Sequence, residues 1–420
     1  MDMLKQGYNF VKSNSYDTPN RCILFFNQLI PSSQIPISHT RSGTLGGINY
    51  VSIFIRDEDW RKKNIVLHEY GHVIQNLFGA VPPEAGGTHV LGVRYNPQLA
   101  FSEGWGHFFA AAATGNPGID PSFNLSTNPP YSSSIVVPHS YTPVTQFEGS
   151  CDEVMVASML WQMYTSSSSN YSYMQNSLKL SNGSHKPYNI FEFIKNHKLY
   201  YDPGNGTSYW IRAGQNLNIG SGILFVNNST IQTTINSAAN KNIIYVFQGR
   251  YLEDISISNK DLALFGEAPK NTIISSPNSL STTVISINNS NSNSNNYSMI
   301  NGFTISGGNF GIDVAPGSRA YISNNAIEFN KYGVKTQNEI ILKNNSIRSN
   351  QNDGFSIPEG NSTYQVKIYN NVFDNNTVSA IHFYNTQGNL NGKVINNIFT
   401  KNGNGIISES NSINNAIDFS

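Results

Sequence analysis

Apolar residues in the first half of the chain recur with helical spacing, whereas in the second half they occur in short runs typical of strands. Three long segments have the 3.6-residue period of buried helices. We predict helices from about Asp59 to Phe78, from Pro97 to Thr114 and from Asp152 to Tyr164, with a shorter helix over 189–198. The run at 48–55 predicts a β-strand just before the first of these helices.

The pattern changes at about residue 221, where an internal repeat begins to emerge. Its unit, Asn-Asn-x-(Ile/Phe), recurs at intervals of 20, 26 and 26 residues. A constant core spacing with insertions at one corner is typical of the stacked coils of a parallel β-helix. We expect the Ile and Phe side chains to face inward and the asparagines to form amide ladders along the axis. The two sets of asparagines are Asn325, Asn345, Asn371 and Asn397, and Asn330, Asn350, Asn376 and Asn402.

The start of this half resembles the opening of right-handed β-helix proteins of the pectate-lyase-like superfold. The resemblance rests on the segments 230–232, 245–251 and 262–267. It implies that a short helix over about 230–239 covers the first coil and protects its edge.

Charge and composition narrow the classes of function. Lys+Arg and Asp+Glu each number 26 in 420 residues, so the formal net charge is zero. This balance argues against nucleic acid or an anionic membrane as the main partner. Charged residues make up only 12% of the chain, a composition common in extracellular β-rich proteins.

Segments that direct a protein to or across a membrane are not found in the sequence. No apolar run approaches the roughly 18–20 residues needed to span a bilayer, and residues 1–6 do not open a signal peptide. We therefore expect either a cytosolic protein or a piece of a longer precursor, and the abrupt end within a repeat favours the piece. Cys22 and Cys151 could form one disulfide in an exported protein or remain two buried thiols.

The candidate chemistry is concentrated in the segment His68-Glu69-Tyr70-Gly71-His72. On a helix, His68 and His72 lie one turn apart on the same face, where both imidazoles can reach one metal ion. Glu69 beside them is a carboxylate that can take a proton from a metal-activated water. Catalytic zinc sites usually use three protein ligands, and Glu103 on the next predicted helix is the candidate for the third. A carboxylate on that apolar helix would otherwise need another buried partner.

The two motifs, H-E-Y-G-H and S-E-G-W around Glu103, resemble those of the gluzincin class of zinc metallopeptidases. The resemblance covers roughly residues 45–165. It implies that Zn²⁺ is held by His68, His72 and Glu103, that Glu69 is the catalytic base, and that the substrate is a polypeptide. It also implies that the strand at 48–55 is an edge strand that lines the substrate.

Three further residues are weaker candidates for the site. His107 stands where thermolysin-like gluzincins have an Asp that orients a ligand histidine. We interpret it as a partner of a ligand histidine, with a metal ligand or a packing residue as alternatives. His139 and Tyr141 are candidates for stabilising the oxyanion, by residue type alone.

We therefore predict a multidomain protein with two modules. Residues 1–215 form an α+β zincin-like domain, and residues 221–420 form an all-β right-handed parallel β-helix that is incomplete at its C-terminal end. The predicted function is zinc-dependent peptide hydrolysis at the cell surface or outside the cell, with the β-helix attaching the enzyme to a surface or to cell-surface polysaccharide.

Two alternatives remain open. One is a carbohydrate-active or carbohydrate-binding β-helix protein whose N-terminal domain is not catalytic, and the other is a non-catalytic surface adhesin. The acidic residues of the repeat share no clear offset from its period, so we do not expect a catalytic site there. These residues are Asp313, Glu328, Asp353 and Asp374.

Overall fold

The chain divides into two compact units. The computed structural model describes residues 2–14, 23–25, 38–45, 48–56, 58–59, 61–83, 85, 95–120, 123–126, 148–165, 171–181, 185–201, 222–226, 230–289, 297–359, 364–384, 390–409 and 417–418. One unit comprises Met1–Pro143 and Glu148–Ile219, and the other takes in Gly220–Ser420.

The first unit combines helices with a small three-stranded sheet. Its helices are α1 (Asp2–Asn14), α2 (Lys63–Leu77), α3 (Pro97–Thr114), α4 (Glu153–Thr165), α5 (Tyr171–Lys179) and α6 (Ile190–Tyr201), with a 3₁₀ turn at Glu148–Cys151. Its strands are β1 (Ile23–Phe25), β2 (His39–Leu45), β3 (Ile48–Phe54), β4 (Gly118–Asp120) and β5 (Phe123–Asn124). The sheet order is β1-β3-β2, with β3 parallel to β1 and antiparallel to β2.

Local capping explains where α3 begins and ends. The Asn96 side chain accepts a hydrogen bond of 2.8 Å from the Leu99 N–H, and Pro97 occupies the first helical position. Gly115, at φ 66°, ends the helix in the left-handed conformation that glycine adopts without strain. All of α3 except His107 and Thr114 is buried, so this helix is the centre of the unit.

Glycines allow α2 and α4 to approach α3 closely. A Cβ atom on Gly71 would lie 3.0 Å from the Gly106 Cα, and one on Gly104 would lie 2.8 Å from the Val156 Cγ1. These contacts are shorter than ordinary van der Waals separations, so a larger residue would push the helices apart. Gly71, which costs helix stability, is thus explained by packing against α3.

The second unit is built from three parallel sheets. From β7 to β25, each strand pairs in parallel with the strand three positions later, as in a parallel β-helix. The strands are β6 (Ile223–Val226), β7 (Ile243–Val246), β8 (Gly249–Leu252), β9 (Ile255–Ser258), β10 (Ala263–Gly266), β11 (Thr272–Ser275), β12 (Thr283–Asn288), β13 (Ser298–Asn301), β14 (Thr304–Ser306), β15 (Phe310–Val314), β16 (Arg319–Ser323), β17 (Ala326–Glu328), β18 (Tyr332–Thr336), β19 (Glu339–Lys343), β20 (Ser346–Arg348), β21 (Asp353–Ile357), β22 (Tyr364–Tyr369), β23 (Val372–Asp374), β24 (Ser379–Phe383), β25 (Leu390–Ile395), β26 (Ile398–Thr400), β27 (Ile406–Ser408) and β28 (Ile417–Asp418). The right-handed sense of the coil remains a prediction.

The repeated apolar positions form the core of these coils. Ile327, Ile347 and Phe373 pair in register along neighbouring strands and are fully buried. Each such side chain contributes about 1.5–3 kcal/mol through burial. Phe399 continues the column and stacks on Phe373 with 5.4 Å between ring centroids, although it remains 37% exposed.

The predicted amide ladders are present. In the first, the Nδ2 of Asn345 donates to the Oδ1 of Asn371 at 3.0 Å, and Asn371 donates to Asn397 at 3.0 Å. The second ladder runs from Asn330 to Asn402 in the same manner. The residue before each first-ladder asparagine has φ between 54° and 57°. Asparagine tolerates this left-handed conformation, which explains the doubled Asn of the repeat.

Helix α7 (Ile231–Ser237) is held at both ends by charged residues of the first coils. The Glu253 carboxylate accepts hydrogen bonds from the Ile231 and Gln232 N–H groups at 2.9 and 3.0 Å. The Lys260 Nζ donates to three carbonyls at the other end, at 2.8–3.0 Å. Negative charge at the N-terminus and positive charge at the C-terminus complement the helix dipole.

Several predictions differ from the structure. The prediction that the strand over 48–55 is an edge strand is wrong, because β3 lies between β1 and β2. Whether a strand is an edge depends on its partners, which its own sequence does not reveal. Helices α1 and α5 were not predicted.

Cys22 lies outside the described residues, and Cys151 is buried. None of the helices described is both long enough and apolar enough to cross a bilayer.

Candidate metal centre

Three predicted ligands converge between α2 and α3. The Nε2 atoms of His68 and His72 lie 3.0 Å apart. The Oε2 atom of Glu103 lies 3.1 Å from the His68 Nε2 and 3.5 Å from the His72 Nε2. His68 and Glu103 are buried, and His72 is partly exposed.

This triangle has the dimensions of one face of a zinc coordination sphere. A tetrahedron with metal–ligand distances of about 2.0–2.2 Å has edges of about 3.3–3.6 Å. The three observed separations are close to this range, and the donor set of two imidazoles and one carboxylate is one that catalytic zinc sites use. The residues present therefore fit a Zn²⁺ ion with one coordination position left for water or substrate.

The charge of the cluster also favours a cation. Burial by itself lowers the pKa of His72. The Glu103 carboxylate raises that pKa through its charge and through a hydrogen bond, and the charge of Glu69 raises it further. These effects outweigh burial, so the pKa of His72 is raised from 6.5 to about 9. The two carboxylates thus create a negative potential at the imidazole, which a proton or a metal ion can neutralise.

His68 is oriented by a second histidine, His107. The His107 Nδ1 lies 3.2 Å from the His68 Nδ1 on the side of the ring remote from Glu103. A hydrogen bond from the His68 Nδ1–H to His107 leaves the Nε2 lone pair of His68 for a metal. His107 thus lies where we predicted a partner of a ligand histidine.

His72 is oriented by the side-chain amide of Gln75, a residue that was not predicted to belong to the site. The Gln75 Oε1 lies 3.1 Å from the His72 Nδ1, and it accepts a hydrogen bond from the Ser102 hydroxyl at 3.1 Å. Gln75 follows His72 by three residues, a spacing that places both side chains on one helical face. That spacing was the available signal.

The proposed base, Glu69, is held from the sheet. The Thr40 hydroxyl, on β2, lies 2.8 Å from the Glu69 Oε2 and 3.0 Å from the Glu69 backbone oxygen, and it donates toward both. Glu69 is buried. Thr40 precedes Glu69 by 29 residues, and no local pattern links the two positions. His139 and Tyr141, the predicted oxyanion candidates, lie outside the described residues.

A second polar cluster lies in the β-helix unit, where no catalytic site was expected. The His382 Nε2 is 3.1 Å from the Glu409 Oε1, and its Nδ1 is 3.4 Å from the Asp353 Oδ1. Asp353 also accepts hydrogen bonds of 2.8 Å from the Tyr384 and Ser379 hydroxyls. The Tyr384 ring stacks on His382 with 3.7 Å between centroids. Burial and the Asp353 carboxylate raise the pKa of Tyr384 well above its usual value.

Residues 33–209 match the family model of the mycolysin C-terminal domain. This stretch is less than half of the 420-residue chain, and it contains the whole His68–His72–Glu103 cluster together with Thr40. The match relates this region to a metallopeptidase family. No curated protein and no solved structure matches the chain.

Proposed function

We propose that residues 1–215 form a zincin-like domain that hydrolyses peptide bonds with a Zn²⁺ ion held by His68, His72 and Glu103. The observation that carries this proposal is the triangle of donor atoms, with separations of 3.0, 3.1 and 3.5 Å. The metallopeptidase context of the family match supports it. We also propose that the protein acts outside the cell or at the cell surface.

The residues around the triangle have distinct roles in this proposal. When bound, Zn²⁺ supplies a Lewis acid that polarises the scissile carbonyl and lowers the pKa of a water molecule toward about 7. Glu69 takes the proton of that water and later delivers it to the leaving amine. Thr40 keeps the Glu69 carboxylate in place, and His107 keeps the His68 ring in the orientation that presents Nε2.

Metal content and peptide hydrolysis, measured on the same samples, test the proposal. Wild type should bind one zinc ion per chain and hydrolyse labelled casein. Glu69→Gln should retain zinc and lose hydrolysis, because the amide cannot accept the proton. Glu103→Ala should lose zinc and hydrolysis together. Hydrolysis that survives in Glu69→Gln, or zinc content that is unaffected by Glu103→Ala, would remove the proposal.

We further propose that the β-helix unit binds cell-surface polysaccharide on the face formed by β15, β18, β21 and β24. Phe310 and Tyr332 are partly exposed and stack with 5.2 Å between ring centroids. Lys335 lies 4.4 Å above the Phe310 ring and pairs with Asp313 at 2.9 Å. Aromatic faces beside charged hydrogen-bonding groups match the apolar faces and hydroxyls of sugar rings.

Two measurements on the full chain distinguish polysaccharide binding from polysaccharide cleavage. Cosedimentation with insoluble polysaccharide should be weakened by Tyr332→Ala and unaffected by Asn391→Ala, an exposed position on β25. Product analysis on pectin-like polymers, with and without a chelator, tests the rival function. Chelator-resistant polymer cleavage would make the β-helix the enzyme and contradict a purely binding role.

A further inference from the structure

We propose that Gln75 is a positioning residue that holds His72 in the tautomer able to bind metal, and that Ser102 fixes the orientation of the Gln75 amide. The inference rests on the proposed function, since it concerns the same zinc site. It adds two residues to that site whose role is to determine which nitrogen of His72 is available to the ion.

Gln75 contacts His72 from a fully buried position. Gln75 is 0% exposed, so water does not compete for its amide. Its Oε1 lies 3.1 Å from the His72 Nδ1. A carbonyl oxygen can only accept a hydrogen bond, so when His72 is neutral its one imidazole hydrogen lies on Nδ1. The Nε2 atom, which faces His68 and Glu103, then carries the lone pair that a metal requires.

Helix α3 fixes the orientation of the Gln75 amide through Ser102. Ser102 donates its hydroxyl hydrogen to the same Gln75 oxygen, at 3.1 Å, and both residues are buried. Ser102 immediately precedes Glu103, so one turn of α3 provides a ligand and also fixes the amide that orients a ligand on α2. A shift between the two helices would disturb the ligand triangle and the tautomer together.

The charge of the group that accepts the Nδ1–H also affects how strongly His72 binds a metal. Ligand histidines in zinc sites commonly donate their second N–H to a carboxylate, a backbone carbonyl or water, and the loss of such a partner weakens metal binding by about 10–100-fold. Gln75 is a neutral acceptor. A carboxylate at this position would keep the acceptor and add negative charge, which makes His72 a stronger ligand.

Zinc affinity measured by competition with a chromophoric chelator tests the inference. Gln75→Met conserves volume and removes the acceptor, and we expect zinc affinity to fall by about 10–100-fold. Gln75→Glu should bind zinc at least as tightly as wild type, and Ser102→Ala should show a smaller loss than Gln75→Met. Gln175→Met, the same change at another buried glutamine of this unit, on α5, is the matched control and should leave affinity unchanged.

A spectroscopic readout distinguishes the tautomer from general packing. In ¹⁵N-histidine NMR spectra of the metal-free protein above about pH 9, where His72 is neutral, His72 should be protonated on Nδ1 in wild type and should lose that preference in Gln75→Met. Equal zinc affinity in Gln75→Met and wild type would overturn the inference and leave the zinc site standing. Equal losses in Gln75→Met and Gln75→Glu would assign Gln75 a packing role and also overturn it. A wild type that binds no zinc would overturn the proposed function as well.

Discussion

Gly106 lies directly against the His68 ring. A Cβ atom on Gly106 would come within 2.7 Å of the His68 Cε1 and within 2.9 Å of its Nε2. No such contact is tolerated between nonbonded atoms, so even one methyl group must displace the ring or the helix. Gly106, the second glycine of the S-E-G-W-G stretch, is thus part of the site, because its lack of a side chain leaves room for the ring of a ligand histidine.

Gly106→Ala should therefore weaken zinc binding. We expect at least about a tenfold loss of affinity, the scale seen when the orientation of a ligand histidine is disturbed. Isothermal titration calorimetry with a competing chelator measures this zinc affinity.

Gly104→Ala is the comparison, because its methyl group would meet Val156 and the Glu153 carbonyl on α4 instead of His68. It should lower the unfolding free energy by about 1–3 kcal/mol with a smaller loss of zinc affinity. Undiminished affinity in Gly106→Ala would contradict the argument.

Thr40→Val should slow hydrolysis without removing zinc. Valine conserves the shape of threonine but cannot donate to the Glu69 Oε2, which receives the Thr40 hydroxyl at 2.8 Å. We expect kcat to fall by about tenfold, since a hydrogen bond to a charged group is worth about 1.5–3 kcal/mol and only part of it is lost in the transition state. Thr40→Ser should restore the rate. A fall in zinc content parallel to the fall in kcat would show that Thr40 supports the fold of the site instead.

The metal-free protein should lose stability as the pH rises from about 6.5 to 9. The pKa of His72 is raised in the folded protein to about 9, above its usual 6.5, because the Glu103 carboxylate outweighs burial. Protonation of His72 therefore stabilises the fold fully below about pH 6.5, and this contribution, about 3 kcal/mol, is lost as the pH rises through 9. Denaturant unfolding in the presence of a chelator, repeated across this pH range, measures the free energy of unfolding. His72→Gln should remove the slope, and an unchanged slope in that variant would assign it to other groups.

Zinc binding should show the opposite trend with pH. Below pH 9 the ion must displace the proton of His72, so apparent affinity should rise about tenfold per pH unit until that pKa is passed. Calorimetry in buffers of different ionisation enthalpy should detect about one proton released per zinc ion at pH 7. Binding without proton release would contradict the charge state inferred for the metal-free site.

Asn345→Ala should destabilise the β-helix unit more than a surface change does. The Asn345 side chain donates to the Ile322 carbonyl and to Asn371, and it accepts from the Asn325 backbone and side chain. Its removal leaves these buried groups unpaired, at a cost of about 3–5 kcal/mol. Hydrogen exchange at the Asn325 amide should accelerate, whereas Asn391→Ala should leave it unchanged. Equal protection in both variants would show that the ladder is dispensable.

The elements themselves were largely predictable from local sequence. The observed α3 has the predicted bounds, because a cap at Asn96, a proline at the first position and Gly115 act within one turn of the helix ends. The ladders of the second unit were predictable because a repeat turns each local choice into a periodic one, and Asn325 and Asn345 recur at the spacing of stacked coils.

Local sequence was enough to place His68 and His72 on one helical face, because four residues make about one turn of helix. It also indicated that Glu103 is a buried carboxylate, which needs a metal ion or another polar partner. The residues that surround these three side chains depend on how separate elements pack together. Thr40, Gln75 with Ser102, and Gly106 contact the cluster through the distance and angle between separate elements, and Asp353 meets His382 through the register of two strands. Those relations depend on packing between distant segments, which the periodicity of any one segment does not encode.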